Sequence, residues 1–277
     1  MRPDSPRRKG TPASPVATGR FLRDGHECFA KVVDLEDAAR LAAEAEGLAA
    51  IRATGTVRVP ERVEEGRDEA HAWLLLEWLE LGPLAAASGA ALGGALAALH
   101  RVPQQRFGWA SDNFIGGSPQ PNGWSDDWLA FWRDRRLAAQ LRLAAKQRLP
   151  ARMIDRGERL AADCGAFFRT YAPAKSLLHG DLWGGNASAL PDGTPVAFDP
   201  AVYVGDRETD LAMTTLFGGF PPDFHAAYQA AWPLHDDYRV RRDLYNIYHL
   251  LNHANLFAGG YVRQAQDAIE RVLAEIG

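Results

Sequence analysis

The sequence has little cysteine, no long apolar segment and no excess of positive charge. Only Cys28 and Cys164 occur among 277 residues, so we expect no disulfide framework and a reducing, cytoplasmic setting. No apolar run is long enough for a membrane span or for the core of a signal peptide. The net charge of −4 argues against a general nucleic-acid binder, which is usually basic. We therefore expect neither nucleic-acid nor membrane partners.

Several common catalytic signatures are also missing. There is no G-x-x-x-x-G-K-[ST] phosphate loop, no zinc-type spacing of Cys and His, and no G-x-S-x-G elbow. These absences disfavour P-loop, zinc and serine-hydrolase mechanisms. Hydrophobic residues make up 47% of the chain and charged residues 24%, which is typical of a globular protein. The length suffices for one large domain or two lobes.

The stretch Ser176–Leu211 carries most of the chemical information. Asp181 follows His179 by two residues, Asn186 follows Asp181 by five, and Asp199 lies thirteen residues further on. The catalytic loop of protein kinases, H-R-D-x-x-x-x-N, has the same His–Asp–Asn spacing. Each residue alone is more often structural, but together and in this order they favour phosphoryl transfer.

The residues around this spacing predict how the side chains could meet. A short apolar run predicts a strand that ends at Leu178, and two further runs, residues 187–190 and 196–198, flank a Pro-Asp-Gly turn. Such a hairpin would bring Asp199 back beside Asn186. The two side chains would then offer oxygen ligands to Mg²⁺, with nucleotide phosphates and water completing the shell.

The N-terminal part predicts a small lobe. Residues 1–18 are rich in Pro, Arg, Ser and Thr without periodicity, which predicts a flexible segment. Residues 19–33 predict a hairpin that contains Lys31, whose ordinary place is solvent but which could reach nucleotide phosphates. A helix capped by Asp34 should follow. Either Glu44 or Glu46 of this helix could pair with Lys31, although a solvated face is the ordinary position for both.

The next segments predict a hinge and a second lobe. The apolar run Ala72–Leu79 predicts the last strand of the small lobe, and backbone groups of Glu77, Trp78 and Leu79 could read an adenine edge. Residues 19–82 would form the first lobe and 83–277 the second. The second lobe is predicted to contain a long loop, residues 102–124, and helices over residues 87–100, 125–146, 153–171, 211–217 and 244–258.

Three polar residues near the C-terminus have competing interpretations. We expect Asp210 to be structural, either serving the N-terminal region of its own helix or bracing the catalytic loop through backbone hydrogen bonds. Asn252 and His253 lie in the last predicted helix and could line a sugar pocket. A buried, hydrogen-bonded position is the more ordinary expectation for either of them.

The sequence resembles the fructosamine kinases, also called ketosamine kinases, which are relatives of aminoglycoside and choline kinases. The most specific segments are HGDLWGGN at His179–Asn186 and FDPAVYVGDRETDLAM at Phe198–Met213. Further resemblance lies in residues 107–122, 215–220 and 245–261, and the whole runs from about Arg20 to the C-terminus. It implies an α+β, bilobal protein-kinase-like fold with a small antiparallel-sheet N-lobe and a mainly helical C-lobe.

The resemblance also implies an activity, which is ATP-dependent phosphorylation of the sugar 3-hydroxyl of a ketosamine, a step of deglycation repair. It implies that Asp181 is the catalytic base and that Asn186 and Asp199 are Mg²⁺ ligands. It matches Lys31 to the phosphate-binding lysine and Glu44 to its partner.

The resemblance implies further roles outside the catalytic loop. It matches Glu77, Trp78 and Leu79 to the nucleotide-binding hinge and Trp183 to a sugar-facing platform, for which plain packing is an equal alternative.

The chain departs from the family pattern at two places. The family usually opens with a glycine-rich turn, whereas Lys9–Gly19 reads KGTPASPVATG, and its prolines lack backbone N–H donors for phosphates. Ala258 stands where the family generally has glycine.

Two alternatives stay open at this point. The first is a small-molecule kinase with another acceptor, such as an aminoglycoside or an amino alcohol. The second is a nucleotide-binding pseudokinase or ketosamine-binding module, which only the unusual N-terminal loop supports. The acceptor could be a free ketosamine, a glycated amino acid or a glycated protein, derived from fructose or ribulose. We expect a monomer.

Overall fold

The N-terminal lobe consists of an antiparallel sheet and one helix. In the computed structural model, which describes residues 17–276, the sheet order is β1-β2-β4-β3. Its strands are β1 (Ala17–Arg23), β2 (His26–Asp34), β3 (Arg62–Arg67) and β4 (His71–Glu77). The predicted first hairpin is confirmed. Two residues of the segment predicted to be flexible, Ala17 and Thr18, belong to β1, and residues 1–16 lie outside the described residues.

The helix of this lobe, α1 (Ala38–Ala53), packs its apolar face on the sheet. Leu41, Leu48 and Ile51, which the sequence placed on one face, are all buried there. The helix begins later than predicted because Leu35–Asp37 form a 3-10 turn, and Asp34 makes no side-chain cap.

The C-terminal lobe is mainly helical. Its helices are α2 (Ala86–His100), α3 (Trp128–Phe131), α4 (Ala138–Lys146), α5 (Ala151–Asp163), α6 (Glu208–Leu216), α7 (Pro222–Ala231), α8 (Tyr238–Phe257) and α9 (Gly260–Ala274). A π-helical turn, Trp132–Leu137, joins α3 to α4, and a 3-10 turn, Cys164–Phe168, follows α5. Three two-stranded sheets complete it, pairing β5 (Asn113–Ile115) with β6 (Ser118–Gln120), β7 (Ser176–Leu178) with β10 (Tyr203–Gly205), and β8 (Ala187–Ala189) with β9 (Pro195–Ala197).

The fold class agrees with the prediction, but several elements differ. The loop predicted over residues 102–124 contains the β5–β6 hairpin, and α7 and α9 were not predicted. The helix expected from Ser125 begins at Trp128, because the Asp127 carboxylate accepts a hydrogen bond from the Ala130 N–H at 3.0 Å and caps it there.

The two lobes share part of their packing. One hydrophobic core lies inside the C-terminal lobe around α8, and the other extends from the sheet and α1 into α2 and α7. Both cysteines are buried and free. Between residues 17 and 276, no helix is both long and apolar enough to cross a membrane.

A buried ion pair anchors α6 to α8. The Arg241 guanidinium donates two hydrogen bonds to the Glu208 carboxylate, at 2.7 and 3.1 Å, and both side chains are almost fully buried. The two-point geometry fixes one helix against the other.

We expect Arg241→Leu to lower the free energy of unfolding by about 3–5 kcal/mol, because it leaves the Glu208 charge buried without its partner. Urea unfolding measures the change. Arg242→Leu is the matched control, since Arg242 pairs with Asp243 at the surface and should change stability by less than about 1 kcal/mol. Equal effects of the two substitutions would contradict this account.

Candidate active site

Strand β7 leads directly into a tight loop, His179-Gly180-Asp181. Gly180 has φ +82°, and a Cβ added there would lie 2.0 Å from the carbonyl oxygen of Ala201. The Ala201 N–H donates to the His179 carbonyl at 2.8 Å. A glycine is therefore required at this position, and it places Asp181 against the segment that follows Asp199.

The Asp210 carboxylate holds this loop from below. It accepts hydrogen bonds from the backbone N–H of His179 at 2.7 Å and of Gly180 at 2.8 Å. The Nε2 atom of His100 lies 3.1 Å from the same carboxylate, and its Nδ1 lies 2.9 Å from the Tyr228 hydroxyl. Asp210 thus has the bracing role that the sequence suggested.

The β8–β9 hairpin brings Asn186 and Asp199 together, as the turn signal predicted. Ala187 pairs with Ala197, and the Phe198 N–H donates to the Asn186 carbonyl at 3.0 Å. The Asn186 side-chain amide donates to Asp181, at 2.9 Å to its backbone oxygen and 3.3 Å to its carboxylate. These bonds use the nitrogen of Asn186 and leave its side-chain oxygen available. Asp199 has φ +56°, a strained conformation that is common at functional sites.

The two glycines before Asn186 lie in a 3-10 turn, Gly184–Asn186, and neither has positive φ. A Cβ on Gly185 would lie 2.2 Å from the indole of Trp183, and one on Gly184 would lie 2.7 Å from the carbonyl oxygen of Gly218. Both glycines therefore allow close packing in this turn.

Lys31 forms ion pairs with one carboxylate of each lobe. Its ammonium lies 2.7 and 2.8 Å from the two Glu44 carboxylate oxygens and 2.6 Å from an oxygen of Asp199. Glu46, the other candidate partner, instead accepts a hydrogen bond from the Trp109 indole N–H at 2.9 Å. The structure therefore pairs Lys31 with Glu44.

The electrostatics of the cleft shift the pKa values of its charged groups in different directions. Burial, together with the charges of Asp199 and Asp210, raises the pKa of Asp181 to about 7. Burial alone would lower the pKa of Lys31, but the carboxylates of Glu44 and Asp199 outweigh it and raise that pKa. Burial likewise opposes the charge on Asp210, yet hydrogen bonds and the His100 ring keep its pKa low.

These charged groups line a cavity of about 440 Å³ between the lobes. Asp181, Asn186, Asp199, Lys31, Glu44 and Trp183 are among the residues that line it. Among residues 17–276, no group of three or more His, Cys, Asp or Glu side chains could enclose a metal ion by itself. The available oxygens of Asn186 and Asp199 suit Mg²⁺ that shares its shell with phosphates.

A second cavity, of about 360 Å³, lies at the hinge and opens beside Asp199. Phe29, Leu79 and Phe198 line it, and Trp78 packs its ring 6.4 Å from that of Phe29. The Glu77 carboxylate is engaged with Arg58 at 2.6 Å, so this side chain anchors the hinge. A largely apolar cavity beside the hinge suits a nucleobase.

A buried polar network that the sequence did not reveal fixes the β5–β6 hairpin beside the cleft. Asn113 donates to the Val202 carbonyl at 2.7 Å, and Gln120 donates to the Ala201 carbonyl at 3.1 Å. Asn122 donates to Asn113 at 2.9 Å and accepts from Arg136 at 2.8 Å.

Arg136 closes this network from underneath. Its guanidinium is fully buried and also donates to the Pro121 carbonyl, at 2.6 Å. It lies over the rings of Tyr203 and Phe131, 3.9 and 4.6 Å from their centres. The repeated amide side chains around the PQPN sequence were the available signal for this network.

The predicted substrate-binding residues have different surroundings. Trp183 is 40% exposed and lines the cleft. His253 is partly buried, and its ring lies 4.8 Å from that of Phe217, the neighbour of Trp183. Asn252 is buried, with weak contacts of 3.4 Å to Gln140 and to the Ile115 carbonyl, and the structure does not bring it to the cleft.

Comparison with known proteins relates the chain to one enzyme family. The family model described as fructosamine kinase matches residues 14–275. A probable ketoamine kinase of Synechocystis sp. is 43% identical over 93% of this chain and 87% of its own length. The chloroplastic protein-ribulosamine 3-kinase of Arabidopsis thaliana is 36% identical over 91% of this chain and 78% of its own length.

Solved structures agree with the observed fold. A candidate fructosamine-3-kinase of Haemophilus somnus superposes with a TM-score of 0.84 at 28% identity, covering 94% of this chain and 92% of that one. A thermostable mutant of an aminoglycoside phosphotransferase has a TM-score of 0.61 at 14% identity, covering 95% and 94% of the two chains. A choline kinase of Streptococcus pneumoniae scores 0.56 at 14% identity and covers 96% and 92%. The last two likenesses concern the fold alone, which is protein-kinase-like as expected.

We expect Asp210→Asn to loosen the catalytic loop, because the new amide presents N–H donors where two backbone N–H groups need acceptors. Amide hydrogen exchange at His179 and Gly180 should accelerate at least tenfold, and the free energy of unfolding should fall by about 1–3 kcal/mol. Asp223→Asn, in the exposed first turn of α7, is the control and should change neither. Unaltered exchange at the two loop amides would show that the carboxylate does not hold the loop.

Proposed function

The chain belongs to the fructosamine kinase family, and we propose that it transfers the γ-phosphoryl group of ATP to the sugar 3-hydroxyl of a ketosamine. One observation carries the proposal, namely that Lys31, Asp181, Asn186 and Asp199 line a single interlobe cavity, which shares Phe29 and Asp199 with the cavity at the hinge. The ketosamine substrate class is the one that the names of its relatives indicate.

Asp181 is the proposed base. Its carboxylate lies on the cavity wall, where it can accept a hydrogen bond from the acceptor hydroxyl and take up its proton as the bond to phosphorus forms. A pKa near 7 suits a group that must accept a proton at neutral pH and then release it. The Asn186 amide holds the Asp181 carboxylate in place.

Lys31 and the hinge would position the nucleotide. The Lys31 ammonium, oriented by Glu44, lies where it can neutralise phosphate charge. Phe29 and Trp78 offer apolar surfaces to the base, and backbone groups around Leu79 can read its edge.

Asn186 and Asp199 would hold Mg²⁺, since both present oxygen atoms to the cavity. When bound, the ion supplies positive charge that offsets the charge developing on the transferring phosphoryl group. The Asp199 carboxylate contacts Lys31 through one oxygen, so the same residue links the phosphate-binding lysine to the proposed metal position.

Trp183 would be the platform for the acceptor. The ring of Phe217 packs against both Trp183 and His253 and so connects the two side chains. A panel that contains fructosyl-lysine, ribulosyl-lysine, a glycated peptide, an aminoglycoside and choline distinguishes the ketosamine activity from a kinase with another acceptor.

Asp181→Asn keeps the shape of the side chain but removes its basicity. We expect kcat to fall by about 10²-fold or more, measured as ADP release with Mg-ATP and ribulosyl- or fructosyl-lysine. Binding of Mg-ATP should persist, because the base does not carry nucleotide affinity.

Asp192→Asn is the control for this substitution, since Asp192 caps the exposed turn of the β8–β9 hairpin through the Thr194 N–H. Near-normal turnover of Asp181→Asn would refute the role of the base. Mg-ATP binding without turnover on any acceptor by the unaltered protein would instead support a pseudokinase.

The pH dependence follows from the raised pKa of Asp181. The carboxyl must be ionised to accept a proton, so kcat/KM for the acceptor should fall about tenfold per pH unit below pH 7. The residual rate of Asp181→Asn should lack this acid limb. A flat wild-type profile between pH 5 and 7 would contradict the assignment.

A further inference from the structure

A loop of the C-terminal lobe reaches across to α1. We call residues 107–124 the bridging loop, and its base is fixed by two backbone hydrogen bonds of 2.8 Å between Gly108 and Val204. The Gly123 N–H donates to the Trp109 carbonyl at 3.1 Å and closes the loop on itself. Trp109 is half-buried and packs against both hydrophobic cores.

The bridging loop and Lys31 contact α1 on different sides of the helix. Trp109 bonds Glu46, while Lys31 bonds Glu44. Two residues correspond to about 200° around a helix, so the two bonds hold α1 from nearly opposite sides. Together with the buried apolar face of α1, they restrict the rotation of the helix about its own axis more closely than either bond alone.

The apolar packing of α1 limits this rotation, and the hydrogen bonds define it further. A Cβ on Gly47 would lie 3.2 Å from side-chain atoms of Pro200 and Val202, so the helix is seated closely there. Contacts between aliphatic groups have no direction, whereas a hydrogen bond from an indole to a carboxylate does. The Trp109–Glu46 bond therefore supplies the directional part of the seating.

The bridging loop is also bound to the metal side of the site. Its hairpin donates hydrogen bonds to the carbonyl oxygens of Ala201 and Val202, which lie two and three residues after Asp199. One loop thus contacts the helix that carries Glu44 and the segment that carries Asp199.

We infer that Trp109 is a positioning residue, which sets the rotation of α1 through Glu46 and so keeps Glu44 aimed at Lys31. The inference rests on the proposed function, because it concerns how the phosphate-binding lysine is held. It implies that an indole of the C-terminal lobe helps to align the Lys31–Glu44 pair of the N-terminal lobe.

The test measures Mg-ATP affinity, which requires no acceptor. Trp109→Phe keeps an aromatic ring and removes the donor, and it should weaken Mg-ATP binding about fivefold, which is within the range for the loss of one typical hydrogen bond. Glu46→Ala should weaken binding equally, and Glu46→Gln, which retains an acceptor oxygen, should restore most of the affinity. Glu46 is exposed, so these variants should fold.

A double-mutant cycle separates positioning from general damage. In a Glu44→Ala background, Trp109→Phe should have no further effect, because the residue through which it acts is absent. Trp124→Phe makes the same chemical change in the neighbouring ring, whose centre lies 6.3 Å from that of Trp109, and should leave affinity unchanged.

Wild-type affinity in Trp109→Phe, or a loss that adds fully to that of Glu44→Ala, would overturn the inference. Failure of the proposed function would differ from both outcomes. The unaltered protein would then show no turnover with any ketosamine. The Mg-ATP affinities of the variants would still follow the expected order, and that order by itself would support the positioning role.

Discussion

The organisation of the site depends on one buried carboxylate. Asp210 directs its two oxygens at consecutive backbone N–H groups of the catalytic loop and at the ring of His100. Asp210 lies in the first turn of α6, and the Glu208–Arg241 pair fixes this helix to the central helix α8. The helical core therefore determines the position of Asp181 through a short series of polar contacts between buried groups.

The same arrangement imposes an electrostatic cost. Asp181, Asp199 and Asp210 lie close enough for their charges to oppose the ionisation of Asp181, and burial adds to this effect. A concentration of negative charge around a cleft also attracts cations, and Lys31 already satisfies one oxygen of Asp199. The negative charges that raise the pKa of Asp181 therefore also favour the binding of cations. A divalent cation and Lys31 would partly neutralise these charges.

The sequence predicted the features that depend on local signals. Turn residues and short apolar runs located both hairpins that carry Lys31 and Asp199, and spacing placed Asn186 beside Asp181. The family resemblance selected Glu44 over Glu46, which spacing alone could not do.

What escaped prediction depends on long-range contacts. Strands β5 and β6 have three residues each and are held by side-chain amides, so they leave no periodic pattern. The bond between Trp109 and Glu46 joins residues 63 positions apart, and nothing in either neighbourhood names the partner. Asn252 has the buried position that was the more ordinary expectation for it, and the packing of α8 brings it beside Gln140.

Arg136 has a consequence for how this protein responds to acidity. Its guanidinium, fully buried beneath the β5–β6 hairpin, donates to amide and peptide oxygens and faces aromatic rings. None of these partners gains or loses a proton between mildly acidic and mildly alkaline conditions. The charge of this support beneath the cleft therefore stays constant over the pH range in which the Asp181 carboxyl titrates.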